Sequence, residues 1–190
     1  IHELIQNGAD AILDRVRDPE HPRFRAGRIR IVLTRTDFYC ANQGAPIDAS
    51  GVEAMLAAFS SVKRGDEIGR FGIGFKAILG VTDTPAFYSR TGSFRFDRRN
   101  ARQQFLQDHP EAQDTPVLRT AEPVDPVVAK GQDPVLDELM KWGAASIVHL
   151  PLKNYSTARQ LQKDLQQFEP EFLLFSPHVK SLRLENRVSG

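Results

Sequence analysis

Three glycines fall within six residues of the chain, in the run from Gly69 to Gly74. An apolar segment that suits the start of a helix, residues 75–79, follows directly. Backbone N–H groups at a helix start carry partial positive charge and bind anions. Three glycines exceed the needs of one tight turn, although a turn that requires positive φ is the alternative. The run therefore predicts a phosphate-binding turn that enters a helix.

Two better-known glycine motifs fit this run less well. Phe75 stands where a Walker phosphate loop has its lysine, which argues against that loop. Residues 72–77 fit the pattern G-x-G-x-x-A of dinucleotide-binding folds. That pattern has to follow a buried strand, and residues 60–66 are polar instead.

A polar stripe marks the first helix. Its side chains recur at i, i+4, i+7 and i+11, which stack on one helix face; they are Glu3, Asn7, Asp10 and Asp14. A second, apolar face can pack inward; it consists of Ile5, Ala9, Ile12 and Val16. A solvated polar face is the alternative for the stripe. Gly8 is costly inside a helix by about 1 kcal/mol relative to alanine, so it indicates a close approach by another backbone or a ligand.

The glycine run and the polar stripe belong to a longer resemblance. Five stretches, in order, resemble the GHKL or Bergerat-fold ATPases, which include gyrase, the ninety-kilodalton heat-shock chaperones, histidine kinases and MutL. The stretches are 3–11, 39–47, 60–63, 68–76 and 145–152. The closest similarity is to the N-terminal ATP-binding domain of sacsin and the heat-shock chaperones, and residues 172–182 resemble the end of such domains.

The resemblance implies a chemical role for each matching residue. Glu3 corresponds to the general base that activates the attacking water, and Asn7 to the ligand of Mg²⁺, whose few protein ligands are oxygen atoms. Asn42 replaces the usual aspartate that accepts a hydrogen bond from the adenine amino group, and Ser146 replaces a threonine near the adenine edge. An amide oxygen still accepts that bond but carries no charge.

The other residues that the resemblance assigns to the nucleotide lie in the same stretches. Lys63 and Lys76 are either phosphate-binding cations or solvated lysines. The full nucleotide-binding set implied by the resemblance is Asn7, Asp10, Asn42, Gly44, Lys63, Gly69, Arg70, Phe71, Gly72, Ile73, Gly74, Phe75, Lys76 and Ser146.

The fold implied is an α/β (α+β) two-layer sandwich, with a mixed, mostly antiparallel sheet and helices on one face. Residue patterns predict strands at 28–33, 38–41, 86–90, 93–97, 146–150 and 179–185, and helices at 136–141 and 157–168. A capping box at residues 50–53 predicts a further short helix that runs to about residue 59. We expect one ATP-binding domain over 1–190, a lid at about 43–70 and an extended insertion at about 98–140. Because the chain begins inside a motif, we expect a fragment of a longer protein.

The charge, cysteine count and apolar content of the chain limit the kinds of partner and ligand that we expect. The net charge is +1 and no basic stripe carries interleaved aromatics, so nucleic acid is not indicated. Cys40 is the only cysteine, which excludes an internal disulfide, and the five histidines lack ligand spacing. No apolar run or signal peptide suggests a membrane. The expected location is the cytoplasm, and the expected partners are other domains of the chain, a client protein or a second copy.

The sequence leaves three functions open. The first is binding of ATP with Mg²⁺ and slow hydrolysis to ADP and phosphate, which drives conformational change in chaperone-like remodelling. The second is a regulatory module that senses nucleotide without hydrolysis. The third is a DNA-processing ATPase similar to MutL, which the balanced charge does not favour.

Overall fold

The computed structural model describes residues 1–49, 51–53, 77–111 and 121–188. Seven strands within these residues form one sheet. They are β1 (Gly27–Leu33), β2 (Asp37–Asn42), β3 (Ala86–Ser89), β4 (Ser93–Phe96), β5 (Ala121–Pro123), β6 (Ser146–Pro151) and β7 (Val179–Asn186). The helices are α1 (His2–Arg17), α2 (Ile78–Val81), α3 (Arg98–Asp108), α4 (Pro126–Gln132), α5 (Pro134–Lys141) and α6 (Tyr155–Gln166), and a 3-10 helix covers Pro170–Phe175.

The strands lie in the order β5-β4-β3-β6-β2-β1-β7. Only β1 and β7 pair in parallel within the described sheet, and every other neighbouring pair is antiparallel. The prediction of a mixed, mostly antiparallel sheet is therefore confirmed. β1 and β2 form the predicted hairpin, and its register sets Ile29 opposite Asn42. Asn42 thus ends a central strand, as the sequence predicted.

Helix α1 covers one face of the sheet with the apolar side that the sequence predicted. Ile5, Ala9 and Ile12 are buried against the inward side chains of β1 and β2, whereas Val16 is only half-buried. Helix α6 adds Leu161 and Leu165 to the same core. This packing leaves the polar stripe of α1 half-buried beside the sheet.

The opposite face is also covered, so the prediction of helices on one face was wrong. Leu136 and Leu139 of α5 are fully buried against a second cluster that includes Val32, Tyr39 and Ile147. The reason lies in β1, which is buried on both of its sides after Arg28. A strand that buries both faces needs a hydrophobic layer on each.

The segment predicted as an extended insertion supplies that layer. Only a short helix near 136–141 was expected, but helices α3, α4 and α5 and strand β5 lie within 98–141. Asp125 and Asp133 cap α4 and α5, and Pro126 and Pro134 follow them at the first helical positions. Proline suits that position because its missing N–H has no partner there. The prolines therefore start helices rather than prevent them.

An ion-pair network around the buried Arg30 fixes α5 on the sheet. Arg30 of β1 is 7% exposed, and its Nε donates to Glu185 Oε1 of β7 at 2.8 Å. The same guanidinium donates to Glu138 of α5, which Arg187 also contacts. Hydrogen bonds from Arg187 and Arg30 lower the pKa of Glu138 to about 2. The end of α5 is therefore held close to β1 and β7.

Candidate functional site

Two side chains from adjacent strands form the centre of the site. Asn42 ends β2 and Ser146 begins β6, and the two are register partners. Asn42 Nδ2 donates to Ser146 Oγ at 2.8 Å, and Asn42 Oδ1 accepts from the backbone N–H of Gly44 at 2.9 Å. A backbone N–H can only donate, so this contact fixes the orientation of the Asn42 amide.

This pair is almost buried but retains hydrogen-bonding capacity. Asn42 is 8% exposed and Ser146 is 6% exposed. Within the described ranges, one lone pair of Asn42 Oδ1, one hydrogen of its Nδ2 and the hydroxyl hydrogen of Ser146 have no protein partner. The pair can therefore offer one acceptor and two donors to the polar edge of a planar ligand.

The chain after Asn42 lies directly on helix α1. Ala45 N donates to Ala11 O at 2.8 Å, and an Arg15 guanidinium nitrogen donates to Gln43 O at 2.9 Å. A Cβ added to Gly44 would lie 2.4 Å from the backbone carbon of Ala11, so only glycine fits there. The structure thus gives Gly44 a packing role between strand end and helix.

Gly8 allows α1 to approach the sheet. A Cβ at this position would lie 3.3 Å from Ile29 Cδ1 and 3.5 Å from Asn42 Cβ. Close approach at Gly8 was expected from the sequence, but the neighbours here are two side chains of the sheet. Gly8 consequently lets α1, the helix that carries the polar stripe, pack closely against Ile29 and Asn42.

The polar stripe contains one unsatisfied group. Asn7 Nδ2 is buried and has no hydrogen-bond partner within the described part of the chain. Asp10, one turn away, accepts from Gln6 Nε2 at 3.0 Å. A buried donor without a partner costs about 1–3 kcal/mol, which a ligand, a water molecule or a residue outside the described ranges would offset. Asn7 is therefore the residue of the stripe that most requires a further partner.

Metal binding by side chains alone is not indicated in the described ranges, because they hold no group of three or more His, Cys, Asp or Glu residues that could bind an ion. An amide such as that of Asn7 can present its oxygen after rotation of the side chain. Mg²⁺ usually keeps several waters and takes one or two protein ligands plus substrate phosphates. The residues present therefore fit a magnesium ion that is coordinated mainly by water and by the phosphates of a bound ligand. They do not fit a site in which protein side chains supply most of the ligands.

The structure brings together part of the predicted site. Glu3, Asn7 and Asp10 lie on α1, and Asn42, Gly44 and Ser146 lie on or beside the central strands. The predicted phosphate-binding turn lies outside the described residues, as does most of the predicted lid. The residues concerned are Lys63, Gly69, Arg70, Phe71, Gly72, Ile73, Gly74, Phe75 and Lys76.

Sequence reasoning missed the connection from α5 to Ser146. Gln43 Nε2 donates to Trp142 O at 3.1 Å, and Gly143 has a φ of 91°, a left-handed conformation that favours glycine. Ala145 N then donates to Asn42 O at 2.8 Å. A glycine after an amphipathic helix is a C-terminal cap signal that could have located this turn.

Comparison with known proteins leaves the family open. No protein-family model matches the sequence, and no curated protein matches it. In the described ranges, none of the helices has the length and apolar character that crossing a membrane would require.

Proposed function

We propose that this chain is an ATP-binding domain of the GHKL type, close to the sacsin and heat-shock-chaperone domains. It binds ATP with Mg²⁺ and hydrolyses it slowly to drive conformational change in a larger protein. The observation that carries the proposal is the unpartnered, buried amide of Asn7 on the helix that packs against Asn42. A phosphate oxygen of a nucleotide on this face would accept from Asn7 Nδ2, the donor that has no partner within the described residues.

The adenine end of the proposed site is the Asn42–Ser146 pair. The free lone pair of Asn42 Oδ1 suits the exocyclic amino group of adenine, and the Ser146 hydroxyl can donate to a ring nitrogen. A guanine presents a carbonyl oxygen in place of that amino group and would face an acceptor with an acceptor. The pair therefore favours adenine over guanine, even without the charge of an aspartate.

The phosphate end lies toward the beginning of α1. Glu3 precedes Ala11 by eight residues, which corresponds to about 12 Å along a helix. With the base beside Ala11, the phosphates would extend past Asn7 toward Glu3. The Asn7 oxygen would hold the magnesium ion, which neutralises phosphate charge when bound. The Glu3 carboxylate would accept the proton of the attacking water.

A sensing module that binds ATP without hydrolysis is the second candidate. Its support is a chain of contacts from the proposed adenine site to the opposite face of the sheet. Gln43 follows Asn42 in sequence, and its Nε2 donates to Trp142 O at the end of α5. A nucleotide bound at the Asn42–Ser146 pair would shift Gln43 and, through its hydrogen bond to Trp142 O, the end of α5. The net charge of +1 does not support a DNA-processing role similar to that of MutL. The proposal also includes a location in the cytoplasm. The proposed partners are other domains of the same chain, a client protein, or a second copy that forms a homodimer.

The proposed base preference predicts the behaviour of Asn42 variants. Calorimetry with Mg²⁺ should give tighter binding of ATP than of GTP. Asn42→Ala should weaken ATP binding by roughly 5- to 150-fold, since the adenine amino group loses its acceptor. Asn42→Asp should keep ATP binding and increase the preference for ATP, because a charged acceptor forms the stronger hydrogen bond.

Two further variants separate recognition from stability. Asn42→Ala also leaves the N–H of Gly44 without its partner, so its folding is checked by thermal denaturation. Ser146→Ala removes the hydroxyl and leaves Asn42 Nδ2 without its partner, so its folding is checked in the same way. It should weaken ATP binding as well, whereas Ser181→Ala on the exposed edge strand β7 should not. Equal affinities for ATP and GTP that none of these substitutions changes would refute the proposed adenine site.

A further inference from the structure

Three arginines surround the end of the sheet at which β2 and β3 end and β1 and β6 begin. Arg15 lies on α1, Arg28 lies on β1, and Arg90 directly follows β3. We call these three residues the arginine cluster. The Arg90 guanidinium donates to the backbone oxygen of Gly143 at 3.0 Å and, through Nε, to that of Ala144 at 3.3 Å. It therefore lies against the connection from α5 to β6.

Gln43 joins the other two members of the arginine cluster to the same connection. Its backbone oxygen accepts from an Arg15 guanidinium nitrogen at 2.9 Å, and its side-chain Oε1 accepts from Arg28 Nε at 2.9 Å. Its Nε2 donates to the backbone oxygen of Trp142 at 3.1 Å, at the end of α5. All three guanidinium groups are consequently held at one end of the sheet by neutral oxygen atoms.

Like charges lie close together in this arrangement. Burial lowers the pKa of Arg15, and the charge of Arg90 lowers it further. The charge of Asp18 raises this pKa by a smaller amount. The Asp18 carboxylate itself accepts from a backbone N–H at 2.9 Å and lies 2.8 Å from His21 Nδ1. The repulsion between Arg15 and Arg90 is therefore only partly offset by the carboxylate nearby.

Other arginines of the chain have carboxylate partners, which sets the arginine cluster apart. No member of the cluster lies within ion-pair distance of an aspartate or glutamate in the described ranges. Carbonyl and amide oxygens orient a guanidinium without cancelling its charge, so this end of the sheet is positive. The arginines that do form ion pairs are Arg30, Arg95, Arg98, Arg183 and Arg187.

Aromatic rings hold two of the guanidinium groups in place. Arg15 lies 4.4 Å from the centre of the Phe24 ring, and Arg28 lies 5.3 Å from that of Trp142. A guanidinium has five N–H donors, and a stacked one keeps its edge available for an anion. Because guanidinium groups already stack on these rings, they do not serve as the base-stacking platforms typical of single-strand nucleic-acid sites. The cluster is thus preorganised for carboxylates.

We propose that the arginine cluster docks an extended acidic segment of a partner protein. Arg15 belongs to the helix on one face of the sheet, whereas Arg28 projects, like Arg30, toward the face that α5 covers. Several carboxylates along a chain fit charges spread in this way better than one small anion does. Arg28 and Arg90 are exposed, so the segment can reach them. Planar guanidinium and carboxylate groups pair through two parallel hydrogen bonds.

The test measures binding of short peptides with blocked ends to the whole chain by fluorescence anisotropy. Nucleotide is left out, so the result does not depend on the proposed ATP site. A peptide that alternates glutamate and serine should bind saturably, and one that alternates lysine and serine should not. Raising the ionic strength from about 0.05 M to about 0.5 M should weaken binding by about tenfold or more, because salt screens exposed charges. Oligothymidylate of the same charge should bind more weakly than the glutamate peptide.

Variants of the exposed arginines test which charges are used. Arg28→Gln and Arg90→Gln should each weaken binding of the glutamate peptide by about two- to fivefold, and the double variant by about tenfold. Arg28→Lys keeps the charge and should recover most of the affinity lost in Arg28→Gln, which general damage to the fold would not allow. Arg102→Gln removes an exposed charge on α3, outside the cluster, and should leave the affinity unchanged.

Four results would each overturn the proposed docking surface. They are no saturable binding of the glutamate peptide, equal binding of the lysine peptide, full affinity in the double variant, and tighter binding of oligothymidylate. The last result would make the arginine cluster a nucleic-acid surface instead. Failure to bind ATP would contradict the proposed function alone, since the peptide measurement contains no nucleotide.

Discussion

Replacing Gly44 by alanine is expected to destabilise the folded chain by at least about 3 kcal/mol. The new Cβ would lie 2.4 Å from the backbone carbon of Ala11 and 2.5 Å from the nitrogen of Ile12. Neither atom belongs to a flexible side chain, so the strand end has to move away from α1. That movement would break the hydrogen bond from Ala45 to Ala11 and disturb the contact between Gly44 and Asn42.

Urea denaturation followed by circular dichroism measures this effect, and Gly92→Ala is the matched control. Gly92 lies in the β3–β4 turn, and its added Cβ would meet no atom within 4 Å. Its free energy of unfolding should therefore change by less than about 1 kcal/mol. If Gly44→Ala unfolds at the same urea concentration as Gly92→Ala, the close contact between Gly44 and α1 does not exist in solution.

Glu3 and Asn7 should give opposite phenotypes although they lie one turn apart on α1. Glu3→Gln should retain binding of ATP with Mg²⁺ and lose hydrolysis by roughly 10²- to 10⁴-fold, the usual effect of removing a general base. Asn7→Ala should weaken the magnesium-dependent part of binding itself, because the ion loses its protein ligand. A merely solvated helix face would give neither result.

Glu20→Gln is the control for loss of one exposed carboxylate near the same helix. Hydrolysis is measured as phosphate release from the complete protein, and binding as heat with and without Mg²⁺. Turnover in Glu3→Gln equal to that of the unmodified protein would remove the catalytic role of Glu3. If the unmodified protein binds ATP without turnover above this variant, the sensing module becomes the better account.

Local patterns predicted the half of the site that α1 and the first hairpin build. The period of Ile5, Ala9 and Ile12 gave the buried side of α1, and the turn between β1 and β2 placed Asn42 at a strand end. Both depend on residues close in sequence. The resemblance also correctly predicted a mixed, mostly antiparallel sheet.

Long-range contacts could not be predicted in the same way. Gln43 and Trp142 are 99 positions apart, and no local pattern links them. Of the helices on the second face, the sequence predicted only residues 136–141 of α5 and missed α4, because the segment 98–140 was expected to be an extended insertion. An aspartate followed directly by proline is instead a helix start, since the carboxylate accepts from the next free N–H groups.

The central claim is that a nucleotide binds between the polar stripe of α1 and the ends of β2 and β6. The most direct measurement is a titration of the isotope-labelled protein with ATP and Mg²⁺, followed by nuclear magnetic resonance. The account predicts saturable shifts of the side-chain amide resonances of Asn7 and Asn42 and of the backbone amide of Ser146, with the amide of Ser181 unmoved. Saturating nucleotide that leaves Asn7, Asn42 and Ser146 unchanged would contradict it.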